Sequence, residues 1–443
     1  MFRSLKFIKP LWYFHLRHDK NLIWPDSNYV TPKPFLDNRY ETVQAMFSEA
    51  SYVALMNGSV LANSQKVYLP KEIVNFEHSP NDEFRFIRKF FNPMWSVGYL
   101  VYRIVTLKSI YKSIVAFMNT FFLKRIKISY TFRETKLKLN ESKILFEDKK
   151  KVRIIIPTYN RYSVLYSLLK DLEGQTYTNF SVTVIDQSEN FNRNFYTDFG
   201  IQIDLIRQEK PGLWKARNNA IKNTHEEVIA LLDDDSRIEK DWILKHLNCL
   251  NYFSAEISAG VSLSKKGAKT PFNYRFYRDS DQLDTGNVVI YRRVFRICGL
   301  FDEQYEGMRM GDAEFGLRAF QKGVVSISNP EAYRVHLKTS KGGLRDLGSW
   351  DAFRQINFLK PRPIPSVLYY ARKNFGDYNA LIFLIINLPL SFSTYSKKTD
   401  SIHLVVSLLI FTLFFPLIVV QTFISWKISS SILSEGHKIP YEQ

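Results

Sequence analysis

Three consecutive carboxylates, Asp233, Asp234 and Asp235, follow directly on the apolar run Val228–Leu232. Like charges about 4 Å apart at an effective dielectric of about 20 repel by on the order of 4 kcal/mol per pair, and a hard divalent cation reverses that cost. One reading of the triplet is therefore a Mg or Mn site for a phosphorylated substrate. The other is a solvated acidic turn capping the helix around Trp242, with Asp235 or Ser236 as its N-cap. The triplet alone does not choose between them.

The elements that would carry these acids decide more. Val152 to Ile156 is a β-branched strand stopped by Pro157, and a helix follows with Leu165, Leu168, Leu169 and Leu172 at helical spacing and Gly174 as its stop. Ser181 to Ile185 is the next strand and ends in Asp186. Leu213 to Lys222 is another helix, and the strand before the triplet completes a β-α-β-α-β order. Such alternation implies a parallel, doubly wound sheet, whose ligands bind beyond the carboxyl ends of its strands. All three strand ends are polar: Thr158, Tyr159, Asn160 and Arg161 after the first, Asp186 after the second, the triplet after the third. Three separate segments converge on one crevice, which favours a site over a capping turn.

At 443 residues the chain is long enough for two or three domains. Cys249 and Cys298 offer neither a disulfide framework nor a paired ligand spacing, in keeping with a reducing, cytosol-facing compartment. A net charge of +18 with 15% aromatic residues suits nucleic acid, anionic phosphates or an anionic membrane surface. The uncharged run from Leu404 to Trp426, about 23 residues, is enough to span a bilayer. Leu381 to Phe392, broken by Asn387 and Pro389, reads as an interfacial or re-entrant element, and a buried helix pair is the competing account of the tail. Pro10 interrupts the basic, aromatic N-terminus, so no cleavable signal is expected.

Asn57-Gly58 is a hairpin cue. Trp95 to Ile128 places Arg103, Lys108 and Lys112 on one side of a helical projection, either an amphipathic basic helix lying on a membrane or a core-facing helix of an accessory domain. Residues 134–151 are charged and read as a linker. The expected organisation is an accessory region over 1–147, an α/β domain over 148–360 and an apolar, membrane-associated region over 361–443.

The segments IIIPTYNR, VIDQS, GLWKARNNAI, LLDDDSRIEKDWI, GNVVIYRRVF, GLFDE, GDAEFGLR and HLKTSKGGLR occur in an order that resembles family 2 glycosyltransferases over about residues 150–360. The resemblance implies the GT-A fold, a Rossmann-like α/β arrangement with a mixed, mainly parallel sheet flanked by helices. It implies that Thr158, Tyr159, Asn160, Arg161 and Asp186 hold the nucleoside, Asp186 accepting from the base; Gln187 stands where relatives more often carry Asp or Asn. Lys210 and Arg217 would approach ribose or phosphate.

Asp233 and Asp235 match the two acids of the D-x-D motif: Asp233 toward ribose and metal, Asp235 toward metal and diphosphate, with Asp234 pointing away. In Met310-Gly311-Asp312-Ala313-Glu314, Gly311 replaces the first acid of a motif that usually reads Glu-Asp. Asp312 is then the expected base, with Glu314 as an acceptor contact or an alternative base. His336 is the expected third group for the metal or diphosphate. Lys338, Lys341, Gly342, Gly343 and Arg345 form a basic loop expected to close over the diphosphate. Trp214 and Trp242 are expected to be packing residues.

The expected function is that of an inverting, metal-dependent, hexosyltransferase-like enzyme. It would move a sugar from a nucleotide-diphospho-sugar, UDP-sugars favoured, to a hydroxyl of a glycan or lipid-linked acceptor in cell-surface polysaccharide synthesis, with Mg2+ or Mn2+. A leaving diphosphate needs its charge neutralised, and the acceptor hydroxyl needs a base. The apolar tail places the protein at a membrane with the catalytic domain facing the cytoplasm. No nucleic-acid partner is expected, because the basic residues are spread without a recognisable DNA- or RNA-binding motif. The rival is a non-catalytic membrane scaffold or nucleic-acid-binding protein that retains a degenerate transferase domain, and Gly311 keeps it open. A nucleotidyltransferase would carry a glycine-rich phosphate loop after its first strand, and PTYNRYS is not one.

Overall fold

The computed structural model describes residues 1–13, 36–56, 77–126, 150–264, 270, 274–280, 283–339, 353, 359–392 and 401–441. In chain order its elements begin with α1 (Arg3–Ile8), α2 (Val43–Met56), α3 (Pro80–Phe90), α4 (Met94–Val105) and α5 (Ile110–Asn119). Then come β1 (Val152–Thr158), α6 (Tyr162–Glu173), β2 (Phe180–Asp186), β3 (Ile203–Arg207), α7 (Leu213–Lys222), β4 (Val228–Leu232) and β5 (Ser236–Ile238). They continue as α8 (Trp242–Phe253), β6 (Ile257–Leu263), β7 (Arg278–Asp279), β8 (Asn287–Tyr291), α9 (Arg293–Cys298), α10 (Gly311–Gln321) and β9 (Ser326–His336). The last three are α11 (Pro365–Asn387), α12 (Ser401–Leu413) and α13 (Phe415–Glu435).

The chain folds as two compact units, one of residues Met1–Arg133 with Ser349–Ser434, the other of Glu134–Gly348 with Glu435–Gln443. The N-terminal and C-terminal helices thus share a unit. The last residues belong to the other one, where Leu300 N–H donates to the Pro440 carbonyl and Glu303 N–H to that of Lys438. The expected boundary after residue 147 and the hairpin cue at Asn57-Gly58 both lie outside the described residues.

All the strands belong to one mixed sheet in the order β3-β2-β1-β4-β8-β6-β9-β5, with β7 paired to β9. The first four are parallel, as the β-α-β-α-β order requires, and Leu165, Leu168, Leu169 and Leu172 of α6 are all buried against the core. Pro157 does not stop β1. The strand runs to Thr158, paired with β2 as far as Asp186, while its pairing with β4 ends at Ile155. At Pro157 one side of the strand is already unpaired, so a residue without an N–H is tolerated there.

The mixed character begins at β8, which runs antiparallel to β4 with Asn287 opposite Leu232. β9 runs parallel to β6, and its end pairs antiparallel with β5, setting His336 opposite Ser236. Asn287 ties this half together. Its Oδ1 accepts from Trp242 Nε1 at 2.8 Å and lies 3.2 Å from His246 Nε2, while its Nδ2 donates to the carbonyls of Val261 and Ala332, each at 3.0 Å. Every hydrogen-bonding position of a fully buried amide is used.

In the helical unit, α3 is capped by Ser79, whose hydroxyl accepts from Asp82 N–H, and its Lys89 ion-pairs with Asp37 at 2.6 Å and with Glu49. Around it pack Ile8, Phe84, Ile87, Tyr99 and Ala116. The stretch expected as one basic helix from Trp95 is two, α4 and α5. The turn between them places Leu107 and Ser109 at φ of 53° and 45°, and Lys108 lies in that turn rather than on a helical face shared with Arg103 and Lys112.

The uncharged run from Leu404 to Trp426 is likewise divided, α12 ending at Leu413 and α13 starting at Phe415. Pro416 accounts for the break: it lacks an N–H and disfavours the helical conformation in the residue before it. Among the described residues α13 is the one helix long and apolar enough to cross a membrane.

Asn287→Leu keeps the volume but leaves the Trp242 indole N–H and two buried carbonyls without a partner, at roughly 1–3 kcal/mol for each such group. Urea unfolding of the variant is expected to show a loss of at least about 3 kcal/mol.

Candidate active site

The carboxyl ends of β1, β2 and β4 come together with the start of β8 and the end of β9. The triplet sits in the turn between β4 and β5, and α8 begins only at Trp242 with Asp241 at its N-cap position, so neither Asp235 nor Ser236 caps a helix. The acids belong to the sheet edge.

Asp233 is clamped between two fully buried arginines. Arg217 Nη2 donates to its Oδ1 at 2.7 Å and Arg334 Nη1 to its Oδ2 at 3.0 Å. Arg217 also reaches the Thr285 hydroxyl at 2.7 Å and carbonyl at 2.9 Å. Arg334 is held by the hydroxyls of Ser236 at 2.8 Å and Ser262 at 2.7 Å, and pairs with Asp284 at 3.0 Å. Arg334 holds the Asp284 carboxyl below the usual carboxylate range despite its burial. Arg217, expected beside ribose or phosphate, is thus taken up by Asp233 and Thr285.

Asp234 does not point away. Its carboxylate is buried, accepting from the Thr158 hydroxyl at 2.8 Å and from Arg161 Nη1 at 3.1 Å. Burial pushes its carboxyl up to about 7, against the pull of Arg161. Arg161 reaches Asp235 at 3.3 Å and the Thr339 carbonyl at 3.3 Å as well. The repulsion within the triplet is therefore offset largely by Arg161, Arg217 and Arg334, and not by a metal ion alone, as the sequence suggested.

Asp235 faces His336, Oδ2 to Nε2 at 3.3 Å, a meeting imposed by the pairing of β5 with the end of β9. Among the described residues no group of three or more His, Cys, Asp or Glu could hold a metal by itself. A carboxylate oxygen suits Mn2+ or Mg2+, hard ions commonly held by one or two carboxylates and completed by substrate phosphate oxygens, and a neighbouring imidazole nitrogen favours Mn2+, the softer of the two. Asp235 and His336 fit such an ion. Asp233, expected to share it, has both oxygens occupied by guanidinium groups.

On the β2 side, the fully buried Asp186 accepts from Tyr162 at 2.6 Å, Tyr196 at 2.9 Å and Ser188 N–H at 2.8 Å. It shapes the loop; both of the oxygens expected to read a base already have partners. Asn160, at φ 54°, donates its N–H to Ser188 Oγ at 2.9 Å and accepts from Glu189 N–H at 3.1 Å, while Tyr159 donates to Glu189 at 2.8 Å. Gln187 accepts from Gly212 N–H at 2.6 Å, fixing the approach to α7. Lys210 and Lys338 are exposed, and Lys341, Gly342, Gly343 and Arg345 lie outside the described residues.

The acidic motif opens α10. A Cβ on Gly311 would lie 2.4 Å from the Trp214 ring, so the bulk of that indole excludes any side chain at this position. Trp214 is locked in turn by its Nε1 bond to the Tyr305 carbonyl at 3.0 Å and by Phe301. Glu306 accepts from the N–H groups of Leu213, Trp214 and Lys215, capping the positive end of α7. Glu314 is fully engaged by Arg318, at 2.9 and 2.8 Å, and Arg318 also binds the carbonyls of Cys298 and Leu300. Asp312 is the half-buried carboxylate of the pair, with Ala313 N–H on its Oδ1 at 2.9 Å.

Residues 153–301 match the family model described as Glycosyl transferase family 2. Over this segment the chain is similar to family 2 glycosyl transferases. Curated relatives are the glycosyltransferase GlyA of Streptococcus pneumoniae, 26% identical over 172 residues, and the glycosyltransferase AglE of Haloferax volcanii, 26% identical over 116 residues. These alignments cover 38% and 25% of this chain, and the chain spans only 23% and 38% of the two relatives. Among solved structures, the mannosyltransferase PcManGT of Pyrobaculum calidifontis, in complex with GDP-Man and Mn2+, is 12% identical with a TM-score of 0.41, over 60% of this chain and 76% of that one. TarS 1-349 of S. aureus with UDP-GlcNAc gives 16% identity and a TM-score of 0.38, over 57% and 76%. Asp312 and His336 lie beyond the matched segment.

Sequence reasoning did not single out Asp284, Thr285, Glu306 or Arg334. The one local sign was Gly286, where a Cβ would fall 2.2 Å from Asp233 Oδ2.

Gly311→Ala should destabilise the protein by about 1–3 kcal/mol through overpacking against Trp214. In a urea double-mutant cycle, combining it with Trp214→Leu should cost less than the sum of the two single changes, because the smaller side chain removes the clash.

Proposed function

We propose that this protein is an inverting glycosyltransferase. It moves a sugar from a nucleotide-diphospho-sugar, UDP-sugars favoured, to a hydroxyl of a glycan or lipid-linked acceptor in cell-surface polysaccharide synthesis. The observation that carries the reading is the meeting of Asp235 and His336 at 3.3 Å beside the carboxyl end of β4, in a chain whose residues 153–301 match the family. A divalent cation, Mg2+ or Mn2+, held there would supply Lewis-acid neutralisation of the leaving diphosphate.

The chain's own residues do the rest. Arg161, with the exposed Lys210 and Lys338, would bring positive charge to the phosphates, and the Thr158–Arg161 loop would border the nucleoside. Asp312 would take the proton of the acceptor hydroxyl as its oxygen attacks the anomeric carbon and the bond to the diphosphate breaks. One in-line displacement without an enzyme nucleophile inverts the anomeric configuration. Engaged by Arg318 at both oxygens, Glu314 would hold α10 in place and leave the proton transfer to Asp312. α13 would attach the protein to a membrane, with the sheet unit facing the cytoplasm.

Calorimetric titration of the full chain with a panel of nucleoside diphosphates, with and without manganese, tests the donor site. Metal-dependent binding of one nucleotide is expected, and Asp235→Asn should weaken it at least about tenfold. Asp312→Asn should leave that affinity unchanged while lowering kcat by about 10²- to 10⁴-fold. Folded protein that binds no nucleotide under either condition would return the non-catalytic scaffold as the better account.

A further inference from the structure

The catalytic reading draws its residues from the sheet unit and gives no task to α4 and α5, which leave many large apolar residues exposed. Their fully buried residues are Ser96 and Tyr99 on α4, Ser113 and Ala116 on α5, and Thr120 just beyond, with Trp95, Leu100, Tyr102 and Phe117 partly buried against the core. The hydroxyls of Ser113 and Thr120 donate to carbonyls of their own helix, Ser109 at 2.9 Å and Ala116 at 2.8 Å, so these inward polar groups need no water. The outward residues are large and apolar. Val105, Leu107 and Tyr111 around the turn are 75%, 80% and 80% exposed, and Phe122 at the other end is 89% exposed.

Apolar surface of that extent facing water marks a site of association. Large apolar residues turned outward are the pattern that lipid selects, because lipid tails rather than a protein core receive the apolar side chains. α13 in the same unit likewise turns large apolar residues outward. Ile418, Gln421, Ser425 and Ser429 face inward, while Phe415, Val419, Val420 and Phe423 face out. α4 is tied to α11 of that unit by the Tyr102 and Tyr378 hydroxyls at 2.9 Å.

Length and charge narrow the occupant. With 12 and 10 residues, α4 and α5 are each about 15–18 Å long, half of the roughly 30 Å hydrocarbon core, so neither spans it. Between Met94 and Ile126 there is no acidic residue, and Lys108, Lys112, Lys124 and Arg125 are exposed beside the apolar groups. Cations at the rim of an apolar wedge match anionic headgroups around acyl chains. We propose that α4 and α5 form a hairpin that inserts into one leaflet of a bilayer containing anionic lipid, a second membrane element besides α13. This does not depend on the transferase reading.

The test uses the full chain reconstituted in vesicles of phosphatidylcholine, with or without phosphatidylglycerol. Cys249 and Cys298 are buried, so an environment-sensitive fluorophore can be directed to Leu107→Cys or Phe122→Cys, with the exposed Tyr252→Cys of the sheet unit as control. Quenching of the labels at 107 and 122 by nitroxide lipids, and of the label at 252 only by aqueous iodide, is expected. Lys108→Gln with Lys112→Gln should shift the 107 label toward water by about fivefold per lysine in the anionic vesicles, and hardly at all in neutral ones. Labels at 107 and 122 that stay open to iodide and untouched by nitroxide lipids would overturn the proposal. So would protection that rises with protein concentration irrespective of lipid, which would assign the face to a second copy of the chain. An equal effect of the lysine changes in both lipids would remove the anionic requirement.

Discussion

The sheet edge of this protein depends on the clamp of Arg217 and Arg334 on Asp233. A carboxylate at the end of a buried strand, next to two more carboxylates, is tolerable only if cations reach it. Here they arrive from opposite directions, one from α7 and one from β9. Removing one partner of such a buried pair leaves an uncompensated charge, which typically costs 3–5 kcal/mol. The clamp also dictates neighbours that do not touch the charge directly. Gly286 must lack a side chain to let Asp233 and Arg334 meet, and Asp284, Ser236 and Ser262 complete the donors' geometry.

The division of labour among the acids follows from that clamp. Asp233 and Asp234 are bound up in guanidinium and hydroxyl contacts, Asp186 in tyrosine contacts, Glu306 at a helix end and Glu314 in a bidentate pair. Asp235 lies between Arg161 and His336, and Asp312 is half-buried at the start of α10. Gly311, which from the sequence alone suggested a lost catalytic acid, has a local steric cause. Trp214 occupies the volume that any side chain there would need.

In the helical unit, α4, α5 and α13 expose large apolar residues around a buried apolar core of their own. In the sheet unit Val, Ile and Leu are inside, and charged groups on the sheet edge are paired. In α4, α5 and α13 hydroxyls lie inside beside Tyr99, Ala116 and Ile418, and many large apolar side chains lie outside. Both arrangements satisfy buried polar groups locally, and they differ in the medium that receives the apolar surface.

What the sequence determined was local and periodic. The β-branched run before the triplet, the leucine spacing of α6 and the bounds of α7 follow from residue order alone, since strand and helix periods are properties of neighbouring residues. So did the polar strand ends in the parallel half, because parallel connections must carry them to one edge. Only the tertiary structure decided the antiparallel half. Which residues oppose the triplet depends on β8 and β9 pairing across more than 50 residues of chain, with Asn287 opposite Leu232 and His336 opposite Ser236. That register alone turns Arg334 from an unremarked strand residue into the counter-ion of Asp233. It also decided what each carboxylate contacts, because a side chain's partners are set by what packs against it and not by its own position in the chain.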